Sequence, residues 1–137
     1  MTETISAEQD WNLDDIYTEN ILDHFKFPRN KREMMLPTRT RREWNPLCGD
    51  EITLFVKISN QRIEDISFLG RGCAISQASI SLLTERLQGI TVEEARNLSE
   101  KEVFTMLGIP ISPLRTKCAL LSHKALHHVF HDWKMTG

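Results

Sequence analysis

Apolar residues recur at helical spacing near the start of the chain. Their spacing predicts an amphipathic helix, capped by Asn12 or Asp14 and ended by residues 27–30, where Pro28 interrupts the pattern. The residues on its apolar face are Leu13, Ile16, Tyr17, Ile21 and Phe25.

In the middle of the chain the pattern changes to strict alternation, which predicts a strand with one buried face. Asn60 and Gln61 then predict a turn into a second extended run over residues 62–69. Together they form an antiparallel hairpin. The residues on the buried face of its first strand are Ile52, Leu54, Val56 and Ile58.

The segment between the first helix and this hairpin, residues 31–43, has no apolar period and contains Pro37. We interpret it as a linker that ends in a short edge strand at Arg39–Glu43. The region is also basic, and we favour a solvated linker over a docking surface for an acidic partner. Its cations are Lys26, Arg29, Lys31, Arg32, Arg39, Arg41 and Arg42.

After the hairpin the pattern returns to helical spacing. Ser76 is the predicted N-cap of this helix and Gly89 its C-terminal stop. Its apolar residues are Ile75, Ala78, Leu82, Leu83 and Leu87. Two capping-box patterns predict two short helices after it, and Gly108 closes the second. The box residues are Thr91 with Glu94 and Ser99 with Glu102.

The last predicted helix spans residues 116–133, after a stretch that Pro110 and Pro113 keep extended. The order of helix, hairpin and helices predicts an α+β fold, in which helices pack on a small antiparallel three-stranded sheet. The inward stripe of the last helix consists of Cys118, Leu121, Ser122, Ala125 and Val129.

The chain has 137 residues, 40% of them hydrophobic, which suits one domain. We place that domain at residues 11–133, with tails at 1–10 and 134–137. No apolar run approaches the roughly 20 residues that cross a bilayer, and the polar start is unlike a signal peptide. We therefore expect a cytoplasmic protein without membrane attachment. The net charge of −2 gives no drive toward nucleic acid.

Three cysteines are an odd number, so reduced thiols are favoured over disulfides. With Asp50 they make a candidate set of four ligands for zinc or iron: Cys48, Asp50, Cys73 and Cys118. Cys73 precedes a predicted helix and Cys118 lies in the first turn of another, where free N–H groups favour thiolates. Spacing alone leaves metal binding and ordinary buried cysteines equally favoured.

We assign no functional role to two other groups of residues. His123, His127 and His131 repeat every four residues, but they lie opposite the inward stripe, so we interpret them as a solvated face. Three serines are interpreted as a cap and small packing residues, because the sequence places no base beside them. They are Ser76, Ser79 and Ser81.

Three motifs surround the cysteines: Asn45-Pro46-x-Cys48-Gly49-Asp50, Gly70-x-Gly72-Cys73-Ala74-Ile75-Ser76-x-Ala78-Ser79-x-Ser81 and Arg115-x-Lys117-Cys118-Ala119. These motifs resemble those of the IscU, SufU and NifU N-terminal family of iron–sulfur cluster assembly proteins. The resemblance covers about residues 17–129. It implies an α/β sandwich whose site assembles a [2Fe-2S] cluster or holds iron or zinc, with ligands Cys48, Asp50, Cys73 and Cys118.

The resemblance also implies partners: a SufS-, IscS- or NifS-like cysteine desulfurase, an iron donor and apo iron–sulfur recipient proteins. The family resemblance leaves monomer and weak dimer open. Arg115 and Lys117 either act on Cys118, by lowering its pKa or by pairing with a desulfurase carboxylate, or are simply exposed at a helix start, and the sequence favours neither interpretation.

Two branches of the family, IscU and SufU, imply different functions. Lys117 stands where the IscU branch has histidine, as in the SufU branch, whereas the 45-position interval from Cys73 to Cys118 is close to the IscU form. Residues 109–115 replace the chaperone-read stretch of the IscU branch, which makes recognition by that chaperone doubtful.

Three functions follow. The first is a non-enzymatic cluster scaffold, which we favour. The second is a zinc-dependent sulfurtransferase in which Cys48, or secondarily Cys118, accepts sulfur. The third, ranked last, is a structural zinc domain.

Overall fold

The computed structural model describes residues 19–46 and 49–133. The predicted tails, and the part of the predicted first helix before Glu19, lie outside the described residues, so the domain limits stay a prediction. The described elements are α1 (Glu19–Lys26), β1 (Arg39–Asn45), β2 (Asp50–Ser59), β3 (Arg62–Arg71), α2 (Ala74–Leu87), α3 (Val92–Arg96), α4 (Glu100–Leu107) and α5 (Pro113–Val129).

The three strands form one antiparallel sheet in the order β1-β2-β3. Asn60 and Gln61 have φ angles of 52° and 62°, which is the type I′ geometry of a two-residue hairpin. The predicted edge strand is confirmed and extends to Asn45. With helices packed on this sheet, the α+β prediction is confirmed.

The core lies between one face of the sheet and the two long helices. Leu54 faces Phe68 across the β2–β3 ladder, and Val56 faces Ile66; all four side chains are fully buried. Helix α2 packs on β3, α5 packs on β1 and β2, and the two helices contact each other. As a result, the beginning of β2, the end of β3 and the beginning of α5 meet at one end of the molecule.

Helix α1 is fastened to α2 by a buried histidine. His24 Nδ1 lies 2.7 Å from the hydroxyl of Ser81, which also accepts the Arg29 N–H at 2.9 Å. Burial lowers the pKa of His24, and the nearby Arg29 lowers it further. Ser81 is therefore more than a small packing residue, since its hydroxyl connects α2 to His24 of α1 and to the backbone at Arg29.

Both capping boxes are confirmed. Thr91 accepts the N–H of Glu94 at 3.0 Å, Ser99 accepts that of Glu102 at 3.2 Å, and each glutamate bonds back to the backbone of its cap. Gly108 ends α4 in the left-handed conformation, as the sequence predicted.

Two helix boundaries differ from the prediction. The N-cap of α2 is Cys73, and Ser76 lies inside the helix. Helix α5 starts at Pro113, three residues early, because a proline at the first position loses no helical hydrogen bond. It ends at Val129 rather than Trp133, and Asp132 then takes a left-handed φ of 61°.

The arginines of the basic stretch are paired within the chain. Arg29 contacts Asp23 at 2.6 Å and Arg32 contacts Asp65 at 2.7 Å. The three arginines of β1 pair in the same way, which leaves less positive charge for an acidic partner at this surface. Those pairs are Arg39–Asp132, Arg41–Glu43 and Arg42–Glu51.

None of the helices in the described ranges is long and apolar enough to span a bilayer.

Candidate metal centre

Three of the four predicted ligands meet where the sheet and the two long helices end. One ligand atom each from Asp50, Cys73 and Cys118 lie within 4.8 Å of one another. Asp50 begins β2, Cys73 immediately precedes α2, and Cys118 lies in α5. The fold thus joins residues that are up to 68 positions apart in the sequence.

The Asp50 carboxylate is only 1% exposed, and its two oxygens have different roles. Oδ1 accepts the backbone N–H of Cys73 at 2.8 Å, while Oδ2 lies 3.9 Å from Cys73 Sγ. Because the backbone holds one oxygen, the other faces the thiols as a single preset donor.

Gly72 makes this arrangement possible. A Cβ atom at residue 72 would lie 2.2 Å from Asp50 Oδ1 and 2.9 Å from its carboxyl carbon. The φ of +146° is also a conformation that side chains disfavour. Two separate constraints therefore require glycine beside the carboxylate.

Cys73 is both a predicted ligand and a helix cap. Its Sγ accepts the N–H of Ser76 at 3.5 Å, and the Ser76 hydroxyl donates to the Cys73 carbonyl at 3.1 Å. The sulfur thus accepts one of the N–H groups that a helix start leaves without an intrahelical partner. The sequence prediction of a serine cap was wrong because cysteine sulfur takes that position instead.

Cys118 is 2% exposed and is the sixth residue of α5. It therefore lies in the second turn, not the first turn that the sequence predicted, because Pro113 begins the helix. Two serines hold this part of α5 against α2. Ser79 donates to the carbonyl of Ala119 at 2.8 Å and lies 2.6 Å from the Ser122 hydroxyl.

Cys48 lies outside the described residues, so its predicted ligand role stays a prediction. The residues on either side are described. The Gly49 N–H donates to the Asn45 carbonyl at 2.8 Å, and Gly49 has a left-handed φ of +75°. Asn45 and Asp50 pair directly in the β1–β2 ladder.

The donor set fits zinc or iron. Two thiolate sulfurs on one tetrahedral zinc lie about 3.8 Å apart, given Zn–S bonds of about 2.3 Å. The separations here, at most 4.8 Å, need only a small contraction to reach that geometry. Thiolates with one carboxylate are ligands that both metals accept. Lys117, exposed beside Cys118, has no lone pair to offer while protonated.

The histidines of α5 do not join this cluster. His123 Nε2 lies 2.8 Å from the Leu98 carbonyl, while His127 and His131 are exposed. Among the described residues these three form no group of metal donors. The solvated-face interpretation fits His127 and His131, whereas His123 is half-buried and holds the turn before α4.

Sequence reasoning missed a buried acid between β1 and α5. Glu43 is 4% exposed, and its carboxylate accepts hydrogen bonds from His128 at 2.5 Å and Arg41 at 2.6 Å. Burial raises the pKa of Glu43, but the bonds from His128 and Arg41 outweigh it and leave the pKa lowered. No local pattern could reveal this pair, because Glu43 and His128 are 85 positions apart.

Comparison with known proteins gives a consistent result. The family model described as the NifU-like N terminal domain matches residues 16–136. A protein named zinc-dependent sulfurtransferase SufU from Bacillus subtilis (strain 168) is 36% identical over 132 aligned residues, covering 84% of this chain and 89% of the relative. The iron–sulfur cluster assembly scaffold protein IscU of Azotobacter vinelandii is 34% identical over 122 aligned residues, covering 86% and 94%.

A solved structure has the same fold. It is the putative iron–sulfur cluster assembly scaffold protein for the SUF system from Fervidobacterium islandicum AW-1, with a TM-score of 0.73 and 30% identity. The match covers 84% of this chain and 96% of that one. Because the family model spans most of the sequence and the relatives match along most of their length, this chain belongs to the family of NifU-like N-terminal domains.

Proposed function

We propose that this protein is a scaffold for iron–sulfur cluster assembly that accepts sulfur from a cysteine desulfurase. One observation carries the proposal: Asp50, Cys73 and Cys118 offer their ligand atoms within 4.8 Å of one another. Cys48, two positions before Asp50, is the fourth donor of the set. Iron and sulfide are the cargo of this site, and a [2Fe-2S] cluster is what it passes to recipient proteins.

Sulfur acceptance is a thiol exchange. The thiolate of Cys48, or secondarily of Cys118, attacks the outer sulfur of the desulfurase persulfide. A new S–S bond forms, the S–S bond of the donor breaks, and the donor cysteine leaves as a thiolate, so this transfer involves no net oxidation. Conversion of the sulfane sulfur to bridging sulfide then takes two electrons per sulfur from an external reductant.

A zinc-dependent sulfur-transfer role is the second candidate. Two features favour it: Lys117 stands beside Cys118 where, by the family resemblance, the IscU branch has histidine, and a relative with 36% identity bears the name zinc-dependent sulfurtransferase. Zinc held by Cys48, Asp50, Cys73 and Cys118 would keep the thiols deprotonated. The chain itself holds the Asp50 carboxylate in position through the Cys73 N–H.

The two candidates differ in what the purified protein contains. The protein is purified anaerobically, incubated with a desulfurase, cysteine, Fe²⁺ and a reductant, and then analysed for metal and acid-labile sulfide. We expect it to contain iron together with labile sulfide. One tightly held zinc without labile sulfide, together with faster desulfurase turnover, would replace the scaffold by the transfer role.

Substitutions test the sulfur acceptors. We expect Cys48→Ser, or Cys118→Ser if that thiol is the acceptor, to abolish persulfide formation, measured as the added mass of sulfur after incubation with desulfurase and cysteine. Asp50→Ala is the matched control, because it keeps all three thiols; it should accept sulfur while releasing metal or cluster faster. Normal acceptance by both serine variants would contradict the proposed function.

A further inference from the structure

The first turn of helix α2 holds Cys73 by more contacts than a helix cap needs. The Cys73 N–H is bonded to the Asp50 carboxylate, and the Cys73 sulfur accepts the Ser76 N–H. The Cys73 carbonyl accepts two hydrogen bonds of 3.1 Å, one from the Ser76 hydroxyl and one from the backbone N–H of Gln77. Both ends of the Cys73 backbone are therefore fixed, and with them the direction in which its sulfur faces the donor cluster.

The side chain of Gln77 adds a further link to this turn. It is only 4% exposed, and its Nε2 donates to the Ser76 hydroxyl oxygen at 3.1 Å. A serine hydroxyl has one hydrogen to donate and can accept from other groups. Because the Gln77 amide donates to the Ser76 oxygen, it favours the orientation in which the hydroxyl hydrogen is directed at the Cys73 carbonyl. The amide thus acts on Cys73 through Ser76 rather than as a ligand.

Gly70 leaves the room that this amide occupies. A Cβ atom at residue 70 would lie 3.0 Å from Gln77 Oε1 and 2.6 Å from the carbonyl oxygen of Glu51. That carbonyl belongs to the backbone of β2, so it cannot move aside as a flexible side chain could. Gly72 leaves room for the Asp50 carboxylate in the same way. Two glycines near the end of β3 therefore each accommodate one polar side chain beside the centre.

Keeping an amide at residue 77 costs the fold some stability. Gln77 Oε1 accepts no hydrogen bond from any residue that the structure describes. A buried polar atom in this condition destabilises a protein, and an apolar side chain of similar size, such as leucine, avoids the loss. A costly polar group next to a predicted ligand is typical of a residue that serves the site rather than the core.

We infer that Gln77 is a positioning residue for Cys73 and that it sets how long the centre retains its metal or cluster. The inference rests on the proposed function and adds to it a residue, outside the four ligands, that controls retention. Groups that hold a ligand by hydrogen bonds keep it in the geometry that the metal requires. Without the Gln77 amide, the Ser76 hydroxyl can turn away from the Cys73 carbonyl, and the sulfur loses its fixed direction.

The test compares Gln77→Leu with wild type in two measurements. The affinity for Co²⁺, from competition with a chromophoric chelator, should fall about tenfold, and the absorption of the cobalt-bound thiolates should change. The urea midpoint of the metal-free protein should stay the same or rise, because the unpaired oxygen is removed. A residue that only packs would give the opposite result, which is a lower midpoint with unchanged Co²⁺ affinity.

Gln88→Leu is the matched control, because it makes the same change at the other end of α2. Gln88 immediately follows the last residue of the helix, is exposed, and donates to the Glu64 carbonyl at 2.7 Å. This variant should keep the Co²⁺ affinity and the cobalt spectrum of wild type.

Ser76→Ala tests the route of the effect. If Gln77 acts through Ser76, then Ser76→Ala alone should weaken Co²⁺ binding at least as much as Gln77→Leu does. Adding Gln77→Leu to Ser76→Ala should then weaken binding no further. Two effects that multiply in the double variant would exclude the relay through Ser76.

The cluster itself gives a second readout. A cluster assembled on Gln77→Leu should be lost to a chelator about ten times faster than one on wild type. Wild-type Co²⁺ affinity and wild-type cluster loss in Gln77→Leu would overturn the positioning role alone. A wild-type protein that takes up neither iron with labile sulfide nor sulfur from a desulfurase would overturn the proposed function, while the Co²⁺ measurements would still decide whether Gln77 positions Cys73.

Discussion

At the residue scale, the centre depends on how one carboxylate is held. One carboxylate oxygen of Asp50 accepts the Cys73 N–H, and the other lies near the Cys73 thiol. Gly72, which has no side chain, leaves the space that the carboxylate occupies. A donor fixed by backbone contacts loses little conformational freedom when metal binds. The glycine is therefore part of the site although it offers no ligand.

Gly72→Ala should displace Asp50 and weaken zinc or Co²⁺ binding by at least about tenfold, the usual effect of disturbing a ligand's support. A competition titration with a chromophoric chelator measures the affinity, and the Co²⁺ absorption spectrum reports the changed ligand set. Asp50→Ala should reproduce both changes.

Gly89→Ala is the matched control for backbone strain. Gly89 also has a positive φ, +86°, but its added Cβ would meet no atom within 4 Å. Both variants should lose about 1 kcal/mol of folding free energy from strain, while only Gly72→Ala loses metal affinity. Equal metal affinity in the two variants would contradict the role of Gly72.

At the element scale, the buried Glu43 fastens β1 to α5. β1 leads toward the predicted ligand Cys48 and α5 carries the predicted ligand Cys118, so this contact joins the two elements that carry or precede them. The carboxylate is satisfied by Arg41 on its own strand and by His128 across the interface, with Lys124 at 3.8 Å. A buried acid of this kind is costly if one partner is removed.

Glu43→Gln should lower the free energy of unfolding by about 2 kcal/mol at pH 7, because a charged hydrogen-bonded group is lost from a buried position. Urea unfolding measures the change. Asp65→Asn, which breaks a surface pair with Arg32, should cost less than about 1 kcal/mol.

The Glu43 contribution also depends on pH. The folded pKa lies below the usual 4.5, so the stabilisation is complete above that value and is lost as the pH falls through the folded pKa. The difference in stability between wild type and Glu43→Gln should therefore shrink below pH 4.5. A difference that stays constant from pH 7 to pH 3 would contradict this account.

At the scale of the whole molecule, the core does not need metal to hold it together. Ile52, Leu54 and Phe68 of the sheet are fully buried, as are Ile80 and Leu83 of α2. The donor cluster lies at the end of these elements rather than between separate halves. This arrangement argues against the structural zinc domain that the sequence had ranked last.

Chelation of the metal should therefore leave the protein folded. We expect the far-ultraviolet circular dichroism of the metal-free protein to match that of the metal-bound form, with a lower thermal midpoint because bound metal stabilises by mass action. Loss of cooperative unfolding on chelation would instead support the structural zinc domain.

Much of the fold could be predicted from the sequence, since local rules determine it. The alternation over residues 52–58 predicted β2, and the two capping boxes predicted α3 and α4. The predicted helix boundaries were wrong where one residue type can take either of two local roles. Pro113 interrupts a helix interior but begins one equally well, and a cysteine can cap a helix as serine does.

The sequence by itself determined the ligand types and the order of elements, because residue identity and hydrophobic period are local properties. Only the tertiary structure decided that Asp50, Cys73 and Cys118 meet, and that Gly72 leaves room for the carboxylate. Those facts depend on how α5 packs across the sheet and against α2, and that packing joins residues too far apart in the chain for any local pattern to record.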